Sequence, residues 1–198
     1  APIRALLAML VDEGGVVARD QVAAPLAALD REQRRAVTAL GVRIGALDLF
    51  MPAVLKPEAM RWRSALRAAA AGQPMPELPP PSTVVVDGVG ERRAELARLG
   101  FRAAGPQLIR VDMAERLARR AHEVKGGAEG PVIDPALVTS LGLRPQAVAR
   151  LMRDLGFRES DDEAGWIWRG RRPRRAPPKP QGSHPFAALA GLGDAKRG

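Results

Sequence analysis

Asp134-Pro135-Ala136-Leu137-Val138-Thr139-Ser140-Leu141-Gly142, followed closely by Pro145-Gln146-Ala147-Val148-Ala149-Arg150-Leu151-Met152-Arg153-Asp154-Leu155-Gly156, is the stretch that decides the fold. Asp134 is a natural N-cap, and Pro135 suits the first helical position, where no N–H partner is lost. Leu137, Val138 and Leu141 give this short helix an apolar face, and Gly142 turns the chain. The next helix starts near Pro145. Its apolar stripe is Val148, Leu151, Met152 and Leu155, at offsets 0, 3, 4 and 7, the spacing of one helix face. Gln146, Arg150 and Arg153 fall on the opposite face, at offsets 0, 4 and 7.

Working outward, a helix is expected upstream from about Asp112 to Val124. Within it Asp112 with Arg116, and Glu115 with Arg119, have the i,i+4 spacing of surface ion pairs. Downstream, Phe157-Arg158-Glu159-Ser160 and Trp166-Ile167-Trp168-Arg169 flank the turn Asp161-Asp162-Glu163-Ala164-Gly165, a hairpin pattern. Alternation puts Trp166 and Trp168 on one strand face, where they are expected to bury the hairpin's core. Residues 112–170 therefore read as a winged helix-turn-helix whose third helix would face a nucleic acid. The same unit also reads as a packing module without a ligand. The acidic tip of the hairpin is a solubilising turn, unsuited to entering a nucleic-acid groove.

The N-terminal half reads as helical. Ile3, Leu6, Leu7 and Leu10 follow helical spacing until Asp12-Glu13-Gly14-Gly15 breaks it, and a second helix is expected around Val22 to Leu29. Asp30 with Gln33 is a capping box for the helix that follows. Val42 to Met51 is a short strand or an irregular buried segment. A helix from Glu58 to Ala70 is expected to turn Ala59, Trp62 and Leu66 inward. Five prolines between residues 72 and 82 forbid a helix and favour a stiff extended path. A short apolar run, Thr83 to Val86, and a helix from about Glu91 to Leu99 open the second half. The fold class is thus mainly α with short β-hairpins. It divides into a helical subdomain (1–71), a Pro-rich linker (72–82), a winged-helix-like subdomain (83–170) and a disordered basic tail (171–198). A tetrapeptide recurs at Leu40-Gly41-Val42-Arg43, Leu99-Gly100-Phe101-Arg102 and Leu155-Gly156-Phe157-Arg158, each closing an expected helix. A Gly C-cap followed by an apolar residue that folds back on the helix explains all three; internal duplication is the other explanation.

Composition points to a polyanionic partner. The formal net charge is +9, and of 31 basic residues only Lys56, Lys125, Lys179 and Lys196 are Lys. Arg offers a planar fork of donors that grips phosphate bidentately. A proteome-wide bias toward Arg would give the same count. Aromatics are only 4% and Tyr is absent, so the core must be aliphatic, which favours helices. With no Cys there is no disulfide and no thiolate metal site, which suits a reducing cytoplasm. No apolar run reaches the ~18 residues a membrane span needs. The first residues lack both an initiator Met and a secretory pattern, so the chain is expected to be cut from something longer.

The candidate nucleic-acid contacts are Arg144, Gln146, Arg150 and Arg153 around the third helix. To these is added a basic arm, Arg169, Arg171, Arg172, Arg174 and Arg175, in a Pro-rich run with no acidic residue. Such a run cannot build a core, and it is expected to act as an arm that holds phosphates by counterion release; a solubilising linker is the other reading. No catalytic residue is expected. There is no phosphate loop, no acidic box for magnesium, no G-x-S-x-G elbow and no dinucleotide fingerprint. His122 and His184 are far apart in sequence.

Several stretches carry a family resemblance: Leu40-Gly41-Val42-Arg43-Ile44-Gly45, Phe50-Met51-Pro52-Ala53-Val54-Leu55-Lys56-Pro57, Gly100-Phe101-Arg102 with Gly105-Pro106, Ile109-Arg110-Val111-Asp112-Met113, Leu155-Gly156-Phe157-Arg158, and His184-Pro185-Phe186-Ala187-Ala188-Leu189. Together, from about Ala1 to Leu189, they resemble the C-terminal region of alphaproteobacterial relatives of the mitochondrial degradosome RNA helicase, a superfamily-two DExH-type enzyme. The resemblance implies an ATP-dependent helicase of RNA processing or decay, with motor domains upstream that bind ATP and magnesium. This segment would guide single-stranded RNA, or dock the motor domains or a nuclease, with no active site of its own. The matched positions are scaffold residues, so no family catalytic residue carries over. Two rival readings stay open: a protein-interaction scaffold without nucleic-acid contact, and a DNA-binding winged helix.

Overall fold

The computed structural model describes residues 2–88, 90, 92–125, 131–160 and 165–170. About half of these are helical, and the strands form short antiparallel sheets. Arg171, Arg172, Arg174 and Arg175, the rest of the expected tail and the acidic hairpin tip lie outside the described residues.

Three consecutive groups of elements share one motif, a helix that ends at a glycine and runs into a β-hairpin. The first comprises α1 (Pro2–Asp12), β1 (Val16–Ala18), α2 (Ala23–Ala27), α3 (Arg31–Ala39), β2 (Arg43–Ile44) and β3 (Asp48–Phe50). Its sheet has the order β1-β3-β2, with Val17 opposite Leu49 and Ile44 also opposite Leu49. Leu6 and Leu10, one turn apart on α1, meet Val17, Val22, Leu26, Leu29, Val37, Val42 and Leu49 in a closed core. The capping box opens α3: Asp30 accepts from the Gln33 N–H, and the Gln33 side chain accepts from the Asp30 N–H. Strand β1 was not foreseen, because three residues after Gly14-Gly15 are too few to show alternation.

The second group begins with a 3-10 turn (Pro52–Leu55) and α4 (Pro57–Ala70), and continues beyond the prolines with β4 (Val85–Asp87), α5 (Arg92–Arg98), β5 (Phe101–Ala104) and β6 (Gln107–Arg110). Its sheet order, β4-β6-β5, repeats that of the first group. Leu78, within the Pro-rich run, packs on the cluster of Met60, Leu96, Leu99, Phe101 and Leu108. Helix α4 is turned differently from the sequence expectation. Met60, Ser64 and Ala68 are its buried residues, while Trp62 and Leu66 are 70% and 67% exposed. The rotation follows from Arg63 and Arg67, whose guanidinium groups donate to the Arg98 carbonyl at the end of α5 (2.9 and 3.4 Å). Cations there complement the negative helix C-terminus. Burial, and then the neighbouring charge of Arg67, lower the pKa of Arg63.

The third group is α6 (Val111–Lys125), α7 (Pro135–Ser140), α8 (Pro145–Leu155), β7 (Phe157–Glu159) and β8 (Trp166–Trp168). Leu47 of the first group, and Ala104 and Ile109 of the second, are buried in its core beside Leu117, Leu151, Met152, Leu155 and Phe157. The recurring tetrapeptide does the same work in all three groups. Gly41, Gly100 and Gly156 sit at φ of 86°, 95° and 94°, the left-handed region that an L side chain resists. The following Val42, Phe101 and Phe157 are buried.

Candidate nucleic-acid interface

Helix α8 is presented by α6 behind it and by β5 beneath it. Asp134 caps α7 by accepting from the Ala136 N–H at 2.9 Å. The buried Gln107 then fixes the turn into α8: its side-chain amide donates to the Gly142 carbonyl (3.0 Å), and its oxygen accepts from the Arg144 N–H (2.8 Å). The inward residues of α8 are Ala147, Leu151, Met152 and Leu155. Val148 is only half-buried, so the inward face is centred slightly away from the expected stripe. The turn at Gly105 lies against the first turn of α8: a Cβ at position 105 would come within 3.1 Å of the Gln146 carbonyl oxygen.

Gln146, Arg150 and Arg153 are all exposed on the outward face, and Arg144 is exposed at its start. Arg144 Nη2 lies 2.9 Å from Asp87 Oδ2, with both side chains about half exposed. Arg150 Nε lies 3.0 Å from Asp154 Oδ1, and Arg153 Nε donates to the Ala149 carbonyl of its own helix. Exposed pairs of this kind are each worth roughly 0–1 kcal/mol, so a phosphate competes with them readily. Arg169 is exposed, and its backbone N–H is tied to the Gly156 carbonyl at 2.8 Å. Three candidate contacts thus share one helix, with Arg144 at its N-cap, and Arg169 follows the adjoining hairpin. Trp166 packs on the core as expected, but Trp168 is 42% exposed, with Lys125 Nζ 3.3 Å from its ring centroid.

Two residues whose tertiary roles the sequence did not reveal hold the interface to the rest of the protein. Arg102, on β5, bridges Asp48 on β3 (2.6 Å) and Asp154 on α8 (3.0 Å). Glu115, on α6, accepts the backbone N–H groups of Ala46, Leu47 and Asp48 at 2.6–2.7 Å. The expected pairs Glu115–Arg119 and Asp112–Arg116 do not form. Glu115 is consumed by that loop, and Asp112 is chelated by Arg110, with Nε 2.8 Å from Oδ1. Burial pushes the Asp48 carboxyl up to about 6; Arg102 opposes the shift, while Glu115 and Asp154 add to it. Burial works against the charge on Arg102, yet Asp48 and Asp154 outweigh it and raise the Arg102 pKa.

Among the described residues no group of three or more His, Asp or Glu side chains is placed to hold a metal ion, and no helix is long and apolar enough to cross a membrane. Set beside known proteins, the chain matches no family model, no curated protein and no solved structure.

Proposed function

We propose that this chain is an accessory region of a cytoplasmic ATP-dependent RNA helicase, which holds single-stranded RNA by its phosphates while motor domains of the same polypeptide, binding ATP and magnesium, supply the energy. The observation that carries the reading is the outward face of α8, where Gln146, Arg150 and Arg153 are exposed together on a helix seated rigidly by Gln107 and Arg102. In this reading the third group is a winged-helix-like unit, with α8 as the contact helix and Arg169 leading into the basic arm. Phosphate contacts position a strand without reading its sequence, so little base preference follows.

The test is fluorescence anisotropy of a labelled single-stranded RNA at several salt concentrations. Affinity should fall linearly with salt on a log–log scale, and each Arg removed should flatten the slope by about 0.7. Binding that is absent at low salt, or unchanged when Arg150 and Arg153 become Ala, rejects the reading.

One observation favours a protein-docking role as well. Trp62 and Leu66, one turn apart on α4, expose apolar surface that a motor domain or a nuclease could cover. Pull-down by motor domains that is lost on Trp62→Ser, with RNA binding intact, would assign that face to docking.

A further inference from the structure

Helix α3 stands in the first group where α8 stands in the third: each ends at a Leu-Gly step and leads into a hairpin. Its surface charge is less compensated. Arg31, Arg34 and Arg35 are all exposed, and with Leu29 and Thr38 they line an open groove of about 510 Å³. No carboxylate pairs with any of the three among the described residues. Asp30 is occupied as the N-cap, where it accepts from the Gln33 N–H.

Arg34 is fixed rather than floppy. Its Nε donates to the Leu29 carbonyl at 3.1 Å, and its Nη2 to the Leu26 carbonyl at 3.2 Å, so Nη1 remains free to donate. Arg31 and Arg35 stand one turn apart. Like charges at that spacing destabilise a helix by a few tenths of a kcal/mol. Glu32 stands in the first turn of α3 but pairs with none of the three, so the repulsion between Arg31 and Arg35 persists, and an anion along the groove would relieve it. The groove is shallow and open, with an apolar side chain in its wall. That shape suits an extended polymer rather than an enclosed small ion.

We propose that the α3 groove is a second nucleic-acid contact, in which Arg31, Arg34 and Arg35 hold successive phosphates of an RNA strand. It shares with the reading above only the identity of the partner, since it uses neither α8 nor the basic arm. A strand bound there meets Arg34 preorganised and Arg31 and Arg35 as mobile donors on either side of it.

The test uses the full chain, a labelled single-stranded RNA of about 20 nucleotides and two double variants, Arg31→Ala with Arg35→Ala, and Arg150→Ala with Arg153→Ala. Both sites are exposed, so both variants should fold, which circular dichroism checks. The α3 variant is expected to bind about tenfold more weakly, with a log–log salt slope flatter by about 1.4, the value for two lost contacts to a single strand. Loss in both variants supports both sites. Loss in the α3 variant alone supports this proposal and removes α8 from the interface. Loss in the α8 variant alone overturns this proposal and leaves the other reading standing. Equal affinity for a polyglutamate of matched charge, lost in the same α3 variant, also overturns it, because the groove then takes any polyanion.

Discussion

Arg102 and Asp48 form the ion pair that joins the three groups, with Nη1 2.6 Å from Oδ1 and the Asp48 side chain almost fully buried. The second terminal nitrogen of Arg102 reaches Asp154, the residue that also holds Arg150 on the candidate interface. Removing the guanidinium leaves a buried carboxylate without its cation, which costs about 3–5 kcal/mol in comparable sites. Arg102→Met should lower stability by that order in urea unfolding. Adding Asp48→Leu should recover part of the loss, because apolar replacement of both partners removes the orphaned charge. A loss under 1 kcal/mol in the single variant would show that the bridge does not join the groups.

The same pair predicts an unusual pH dependence. The Asp48 carboxyl titrates near 6 in the folded protein, against 3.8 when unperturbed. Between those values the unfolded chain is ionised at this position while the folded chain still holds its proton. The contribution of Asp48 to stability is therefore greatest below about pH 4. It falls by on the order of 2–3 kcal/mol as pH rises to about 6. Asp48→Asn removes this dependence. The difference in unfolding free energy, wild type minus variant, should thus decrease from pH 4 to pH 7. A difference that increases over that range would mean that Arg102 keeps the carboxylate ionised.

Glu115 is a second tie between groups, and it depends on charge and shape together. Oε1 accepts from the Leu47 and Asp48 N–H groups and Oε2 from that of Ala46, so the full set needs both carboxylate oxygens. Glu115→Gln turns an acceptor into a donor that faces an N–H. Losing a charge-assisted bond of this kind costs about 1.5–3 kcal/mol. Gly45→Ala should destabilise as well, because a Cβ at position 45 would overlap the Glu115 carboxylate. Thermal unfolding reads both. Leu47 belongs to the core of the third group, so hydrogen exchange should show the 46–48 loop and α6 loosening together.

Arg144 offers a gain-of-binding check. Its exposed partner Asp87 contributes little to stability but neutralises one of the cations at the start of α8. Asp87→Asn should leave the unfolding midpoint unchanged and strengthen RNA binding by about two- to threefold at low salt, with a steeper salt slope. Unchanged affinity and slope would place Arg144 outside the RNA contact.

The sequence was most legible where one local rule governs one residue. The Asp30–Gln33 box, the Asp134 cap and the prolines at 135 and 145 fixed helix starts within a residue or so, and the three Leu-Gly steps fixed helix ends. The outward face of α8 was legible because its apolar stripe is strongly periodic. What stayed hidden was decided by tertiary neighbours. The β5–β6 hairpin turns on Gly105-Pro106, but its strands are four residues each, and Phe101-Arg102-Ala103-Ala104 is too short to show alternation. Arg102 sits there because two carboxylates from distant positions converge on it, and no local pattern announces that. Glu115 has ideal spacing for a helical ion pair, yet the backbone N–H groups of Ala46, Leu47 and Asp48 hold it more strongly than one solvated Arg.

Helix α4 shows the same competition and yields a sharp test. By pattern, Trp62 and Leu66 are its apolar stripe; in the fold they face out, and Met60, Ser64 and Ala68 face in. Ordinarily a Trp and a Leu buried together outweigh a Met, a Ser and an Ala by several kcal/mol of transfer free energy. The observed orientation is sustained because Arg63 and Arg67 satisfy the orphan carbonyl of Arg98 and Arg63 also donates to the Val54 carbonyl (3.1 Å). Trp62→Ser combined with Leu66→Ser should then change stability by no more than about 0.5 kcal/mol, the range of surface substitutions. Met60→Ala should cost about 2–5 kcal/mol. The reverse ranking would mean that the helix rolls to bury its Trp, with Arg63 and Arg67 released to solvent. A Trp62 emission maximum at the long wavelength of a solvated indole, with Trp166 and Trp168 replaced by Phe, checks the same orientation without relying on stability.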